Sequence, residues 1–261
     1  MAGWCREGRG APEAAVGTRA GVSALGLFNP AARFESVRLA NGAGCLVVDD
    51  ALAEPERLLQ YAVDNRAAFR AVDFSAYPGV YLGAPPSLAA ALAEFFNLKV
   101  RRHFDARRLL QMECRLSMVT LASAQLHPTQ CLAHRDQPTL DPAHSIQACI
   151  LYLFRDAELG GTGFYESVRA ADELAALSRD AQRLPSAEFF ARYGLEPGYL
   201  TDSNAWFARV GGVEARWNRC IFFDGYALHS GDIRQPQRLS ADPLSGRLTC
   251  NGFFTSRRSL R

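Results

Sequence analysis

The sequence contains no Cys-x-x-Cys pair, although it has seven cysteines, Cys5, Cys45, Cys114, Cys131, Cys149, Cys220 and Cys250. An odd, scattered set excludes a disulfide framework and a thiolate metal cluster as organising devices, and it points to a reducing compartment. Charge of one sign is not in excess either: 29 Lys and Arg face 27 Asp and Glu, for a formal net charge of +2. That balance excludes the electrostatic footprint of a nucleic-acid or membrane-surface binder, and leaves a small-molecule, amino-acid or peptidyl partner as the expectation. No segment is apolar enough to span a bilayer, and residues 1–10 lack the apolar core of a signal peptide, so the expected location is the cytoplasm. Internal repeats and long linkers are missing as well.

What is there begins with His134-Arg135-Asp136. In an extended segment residues i and i+2 point the same way, so His134 and Asp136 can reach one ion while Arg135 looks elsewhere. A third donor, His229, follows the apolar run Cys220–Phe223, which reads as a buried strand closed by an Asp224-Gly225 turn. Two imidazoles and one carboxylate can hold one face of an octahedral ion and leave the opposite positions free, the facial triad of non-haem Fe(II) oxygenases. Arg247 opens a further strand whose alternation sets Arg247, Thr249, Asn251 and Phe253 on one face. A guanidinium fork on a strand beside a metal suits a carboxylate and suggests a dicarboxylate co-substrate. Arg234 and Arg238 are its rivals, and their Pro-rich, polar segment would hold a guanidinium less firmly than a strand.

Four blocks in this order carry a resemblance: Met118-Val119 leading to His134-Arg-Asp-Gln-Pro138, Cys149–Leu153, Gly160-Gly-Thr-Gly-Phe-Tyr165, and Arg219–Phe223 through His229-Ser-Gly to Gly246-Arg-Leu-Thr249. The chain resembles the Fe(II)- and 2-oxoglutarate-dependent oxygenases, in their prolyl-4-hydroxylase-like branch. The last stretch also looks like a bacterial family of unknown function with the same order of His-x-Asp, Gly-Gly-Thr, His-Ser-Gly and Gly-Arg-Leu-Thr. The resemblance implies that His134, Asp136 and His229 ligate iron and that Arg247 clamps the distal carboxylate of 2-oxoglutarate. It further implies that Tyr152 places its hydroxyl on that carboxylate, and that Thr249, Asn251 and Phe253 face the co-substrate. The implied activity is hydroxylation of a small molecule or of an amino-acid or peptidyl side chain, with release of succinate and CO2 and with ascorbate as a reductant. One departure weighs against a prolyl substrate: Ala122–Gln130 carries no tyrosine where many prolyl hydroxylases do.

The 261 residues, 48% of them hydrophobic, suffice for one large domain. Residues 1–25, rich in Gly, Ala and Arg, read as a disordered tail, and residues 26–261 as one oxygenase domain. Within it, residues 26–110 read as supporting strands and helices, with a hairpin around Asn41-Gly42 and helices after Pro55 and Pro86. Residues 111–261 read as short strands with a helical insert at about 170–193. The class is mainly β with supporting helices (α+β), a double-stranded β-helix or jelly-roll, cupin-like barrel with the site in its mouth. Loops at 125–131 and 137–145 and the segment 166–212 would wall the pocket. Tyr152, inside an alternating apolar strand, reads equally as a core tyrosine. His103, His127 and His144 have no ligand partners at suitable spacing. Two other classes compete: a degenerate barrel that binds a ligand or partner without turnover, and a cupin-type metalloenzyme that needs no 2-oxoglutarate. The second usually shows His-x-His with a following Glu, which is lacking around His134.

Overall fold

The computed structural model describes residues 24–71, 77–104, 106–136, 141 and 143–258. The tail expected over residues 1–25 lies outside the described residues except for its last two. Cys5, Gln137 and Pro138 and most of the expected 137–145 wall lie outside them too.

Alternation on the strands sorts side chains into three layers. The hairpin β1 (Arg33–Arg38) and β2 (Gly44–Asp49) turns at Asn41-Gly42, where Gly42 takes φ +83°, a left-handed conformation that costs glycine nothing. Helix α1 (Pro55–Asp64) starts on a proline whose missing N–H would have no helical partner anyway, and it buries Leu58 and Ala62. Strands β3 (Arg70–Ala71) and β4 (Gly79–Gly83) follow, then α2 (Pro86–Phe95), which buries Leu88, Ala91, Leu92 and Phe95. Strand β5 spans Ala106–Val119 and β6 spans His144–Tyr152. After β7 (Thr162–Ser167) come the insert helices α3 (Ala171–Arg183) and α4 (Ser186–Tyr193), then β8 (Phe207–Val213). The chain continues through β9 (Cys220–Asp224) and β10 (Leu228–Gly231) to β11 (Arg247–Arg258).

The larger sheet has the order β1-β2-β9-β6-β11-β5-β4-β3, and the smaller has the order β10-β7-β8. From β5 onward the chain passes back and forth between them. β5, β6, β9 and β11 lie in the larger sheet; β7, β8 and β10 lie in the smaller. Every named pairing is antiparallel. His134 joins the smaller sheet through one isolated bridge to His229. This is the double-stranded β-helix, with the fourth strand of the smaller sheet reduced to a single pair.

The central strands β2 and β9 of the larger sheet are buried on both faces, so they read as continuous apolar runs rather than as alternation. Leu46, Val48, Cys149, Leu151, Cys220, Phe222, Leu248, Cys250 and Phe254 pack toward α1 and α2. Cys45, Val47, Ala148, Tyr152, Ile221 and Phe223 fill the space between the sheets with Phe164 and Val213 of the smaller one. A third cluster, with Leu177, Ala181 and Phe189 of the insert, covers the outer face of the smaller sheet at Tyr165, Phe207 and Leu228 and reaches Leu132 and Ala133. Each Val, Leu, Ile and Phe side chain among these contributes about 1.5–3 kcal/mol on full burial. Arg219 ties β9 to β2 through a two-pronged pair with Asp49, at 2.6 and 2.9 Å, and holds that carboxyl below the usual range.

Three expectations need correction. The strand expected from about residue 111 begins at Ala106: Arg107 and Arg108 are the exposed positions of an end of β5 that pairs only with β11. Strands β3 and β4 were not anticipated, because five residues of Gly-Val-Tyr-Leu-Gly carry too little pattern. β4 is nevertheless fixed by close approach, since a Cβ on Gly79 would fall 1.9 Å from the Met118 carbonyl oxygen. His144, read as lacking a carboxylate partner, has its Nδ1 3.0 Å from Asp141 Oδ2. Among the described residues no helix is long and apolar enough to cross a membrane.

Candidate functional site

His134 and His229 exchange both backbone hydrogen bonds, N to O, at 3.0 Å each. A directly opposed antiparallel pair puts its two side chains on one face. The rings accordingly lie with centroids 4.3 Å apart. Asp136 returns to the same face two residues later, with Oδ1 3.9 Å from His134 Nε2 and Oδ2 3.5 Å from His229 Nε2. One donor atom from each of the three lies within 4.8 Å of the others, and no other such group of His, Cys, Asp or Glu occurs among the described residues. Arg135 points away, donating from Nε to the Tyr226 carbonyl at 2.8 Å and stacking 4.4 Å from that ring.

The surroundings bear on the protonation of these groups. His229 is 7% exposed, its ring edge-on to Phe223, and burial pushes its pKa down to about 4. Its Nδ1 lies 3.1 Å from the Ala227 carbonyl oxygen. A proton on Nδ1 satisfies that carbonyl and leaves the Nε2 lone pair facing Asp136. Burial first, and then His229, push His134 down to about 4 as well. The His134 side chain is nonetheless 48% exposed toward the mouth, so hydration tempers its shift and His229 is the more firmly neutral of the two. Burial raises the Asp136 pKa against the pull of His134 and Arg115.

The same cavity holds Arg247 at the start of β11, only 4% exposed. Its Nε donates to the Gly160 carbonyl at 3.0 Å and its Nη2 to the Gly161 carbonyl at 2.8 Å. The guanidinium carbon sits 5.6 Å from the Phe154 ring centroid. Both glycines are required by space: a Cβ on Gly160 or on Gly161 would lie 2.0 Å from a backbone oxygen, of Asp232 and of Val213 respectively, and Gly160 has φ +85°. Gly-Gly-Thr is thus a carbonyl cradle for Arg247. Among the described residues Arg247 has no carboxylate partner, whereas Arg234 is paired with Asp202 and Asp232 and Arg238 with Asp156.

Asn251 and Phe253 line the cavity as well. Thr249 and Tyr152 do not. The Thr249 hydroxyl lies 3.4 Å from the Ser117 carbonyl, and the fully buried Tyr152 hydroxyl is 2.8 Å from Thr162 Oγ1. Tyr152 is therefore a core tyrosine with a satisfied hydroxyl, and it is Thr162 that reaches the cavity wall. Sequence reasoning missed Tyr77, Tyr81 and Arg115, which also line it and which β4 and β5 bring in from far along the chain. From the anticipated walls, Thr129 and Gln130 come from the 125–131 loop and Tyr199 from the segment 166–212.

Among solved structures the chain is similar to a prolyl 4-hydroxylase from Phytophthora capsici, at 11% identity and a TM-score of 0.41, covering 82% of this chain and 58% of that one. The chain thus spans little more than half the length of that protein. It is also similar to HygX from Streptomyces hygroscopicus, solved with nickel and 2-oxoglutarate bound, at 14% identity and a TM-score of 0.46, covering 84% of each chain. A third is SnoK, a non-haem alpha-ketoglutarate-dependent carbocyclase from nogalamycin biosynthesis, at 13% identity and a TM-score of 0.46, covering 82% of this chain and 80% of that one. No curated protein matches the sequence. A family profile matches residues 30–254, nearly the whole described chain, and by that match the protein belongs to the family of unknown function DUF6445.

Proposed function

We propose that the protein is an Fe(II)- and 2-oxoglutarate-dependent dioxygenase that hydroxylates a small molecule or an amino-acid or peptidyl side chain, releasing succinate and CO2. One observation carries this reading: three converging N/O donors share a cavity with a buried guanidinium that has no anionic partner among the described residues. A guanidinium so enclosed lacks both full hydration and a counter-charge, and a dicarboxylate reaching from the metal would supply the counter-charge.

The donor set fits a divalent first-row metal. Two neutral imidazoles and a carboxylate suit Fe(II), while the free cysteines are scattered over the fold and none belongs to the triad. Bound there, iron would supply the oxidative chemistry that no side chain can. The chain's own residues do the rest. His134, Asp136 and His229 would hold the ion. Arg247, fixed by the Gly160 and Gly161 carbonyls, orients the co-substrate through its distal carboxylate. Phe253, Ile150 and Phe223 line the cavity and limit water. The cupin alternative gives Arg247 no anion to bind, and the degenerate-barrel alternative leaves the triad without a use.

Anaerobic titration tests the reading. Metal-free protein should bind one Fe(II) per chain and only then 2-oxoglutarate, and Asp136→Ala or His229→Ala should abolish both events. Equal Fe(II) affinity in wild type and variants would remove the metal assignment. Iron binding without 2-oxoglutarate binding would favour the cupin class.

A further inference from the structure

A second cation in the cavity is left without a role by the proposed function. Arg115 on β5 lies opposite Asn251 of β11 and Gly83 of β4. Its guanidinium carbon is 4.5 Å from the Tyr81 ring centroid and 5.0 Å from that of Phe253, so the plane is held between two aromatic faces. Its Nε is buried and has no hydrogen-bond partner, and the arginine forms no ion pair among the described residues. The nearest same-face carboxylate along the strand, Glu113, accepts a hydrogen bond from Gln111 at 2.6 Å instead. Asn251, directly across the ladder, also keeps its Oδ1 buried without a partner.

Charge balance points the same way. Asp136 is the one carboxylate among the described residues lining the cavity, against Arg115 and Arg247. A divalent ion and a dianionic co-substrate cancel each other, Asp136 balances one arginine, and one positive charge remains. The two arginines also leave their strands at well-separated places. Arg247 sits opposite Val119, and Arg115 lies four residues back along β5, about 13 Å of strand away.

We infer that Arg115 is the recognition cation for a carboxylate on the primary substrate, and that this substrate carries its carboxylate on an apolar frame that lies against Tyr81 and Phe253. The inference rests on the oxygenase reading for the identity of the first anion, and it narrows the substrate class to organic acids. A planar fork clamped between rings is preorganised for a planar carboxylate, and the buried Nε–H gains the acceptor it lacks.

Benzoate and its neutral isostere benzamide serve as probes, titrated calorimetrically into protein loaded with Zn(II) and 2-oxoglutarate so that Arg247 is already occupied. Benzoate should bind at least tenfold more tightly than benzamide. Arg115→Gln should abolish that preference, and Arg115→Lys should retain part of it. In both variants the 2-oxoglutarate affinity should stay within about threefold of wild type, which also reports that the variant is folded. Equal binding of benzoate and benzamide by wild type overturns the inference, as does an undiminished benzoate preference in Arg115→Gln. A tenfold loss of 2-oxoglutarate affinity in a folded Arg115→Gln with benzoate unaffected overturns it as well, and assigns Arg115 to the co-substrate. Failure of the protein to take up 2-oxoglutarate at all strikes the oxygenase reading instead. In that case, loss of the benzoate preference in Arg115→Gln but not in Arg247→Gln still supports the Arg115 site, and the reverse overturns it.

Discussion

The two triad histidines are held neutral by different means, and the difference has a pH consequence. His229 is enclosed, and its Nδ1 faces a backbone carbonyl; His134 is open on one side. In the metal-free protein both have folded pKa values near 4, below the ordinary value of 6.5. Between those values the unfolded chain binds protons that the folded chain refuses, so stability is full above about pH 6.5 and falls as the pH drops toward 4. The slope is up to about 1.4 kcal/mol per pH unit for His229, with a smaller term of the same sign for the half-exposed His134. Urea unfolding of metal-free protein at pH 7, 6 and 5 should display this loss, and His229→Gln should flatten it. A flat profile in wild type would mean that the histidines titrate normally. Tyr152 gives a second test at this scale. With its hydroxyl bonded to Thr162, Tyr152→Phe should cost about 1 kcal/mol of stability and change 2-oxoglutarate affinity by less than about threefold. A hundredfold loss of affinity would place Tyr152 on the co-substrate after all.

Among the elements, the Gly160-Gly161 turn before β7 does most to fix Arg247. It brings two carbonyl oxygens to Arg247 because both residues lack a Cβ. Gly161→Ala places a carbon 2.0 Å from the Val213 oxygen, so the turn must move. Roughly 1–3 kcal/mol of stability should be lost, with Arg247 released from its cradle and the 2-oxoglutarate affinity weakened at least tenfold. Thermal unfolding together with a co-substrate titration checks both, and an unchanged titration would show that the cradle is not needed. The same element marks how far the sequence could be read. The triad was legible because i, i+2 alternation and a histidine after a buried strand are local patterns, and Arg247, Asn251 and Phe253 were legible from the alternation of a single strand. Gly-Gly-Thr was visible as a motif, but its purpose was not, since the oxygens it must avoid belong to Asp232 and Val213, more than fifty residues away. Arg115, Tyr77 and Tyr81 were not legible for a similar reason: strand order, set by pairings distant in sequence, decides that β4 and β5 wall the cavity. Tyr152 points into the space between the sheets, as alternation requires, but only packing decides that Thr162 stands between it and the cavity.

At the scale of the whole molecule, helices back the larger sheet and the smaller sheet carries the histidines. The cavity lies where the two sheets open. Arg247 and Arg115 come from the larger sheet, while His229, Gly160 and Gly161 lie in the smaller sheet or the turn leading into it, so the site exists only when the sheets are packed through Phe164, Phe223 and Ile221. The proposed metal site and the proposed anion clamp should therefore be separable by mutation, although they share one fold. Conversion of 2-oxoglutarate to succinate in the absence of a primary substrate, followed in wild type and in Arg247→Ala, Arg234→Ala and Arg238→Ala at equal Fe(II) loading, tests this most directly. Arg247→Ala should keep its iron and lose roughly a hundredfold or more in co-substrate affinity, with Arg247→Lys recovering only part. The two surface variants, whose guanidiniums are already paired with Asp202, Asp232 and Asp156, should turn over like wild type. Undiminished turnover in Arg247→Ala, or loss confined to Arg234→Ala or Arg238→Ala, would contradict the placement of the co-substrate.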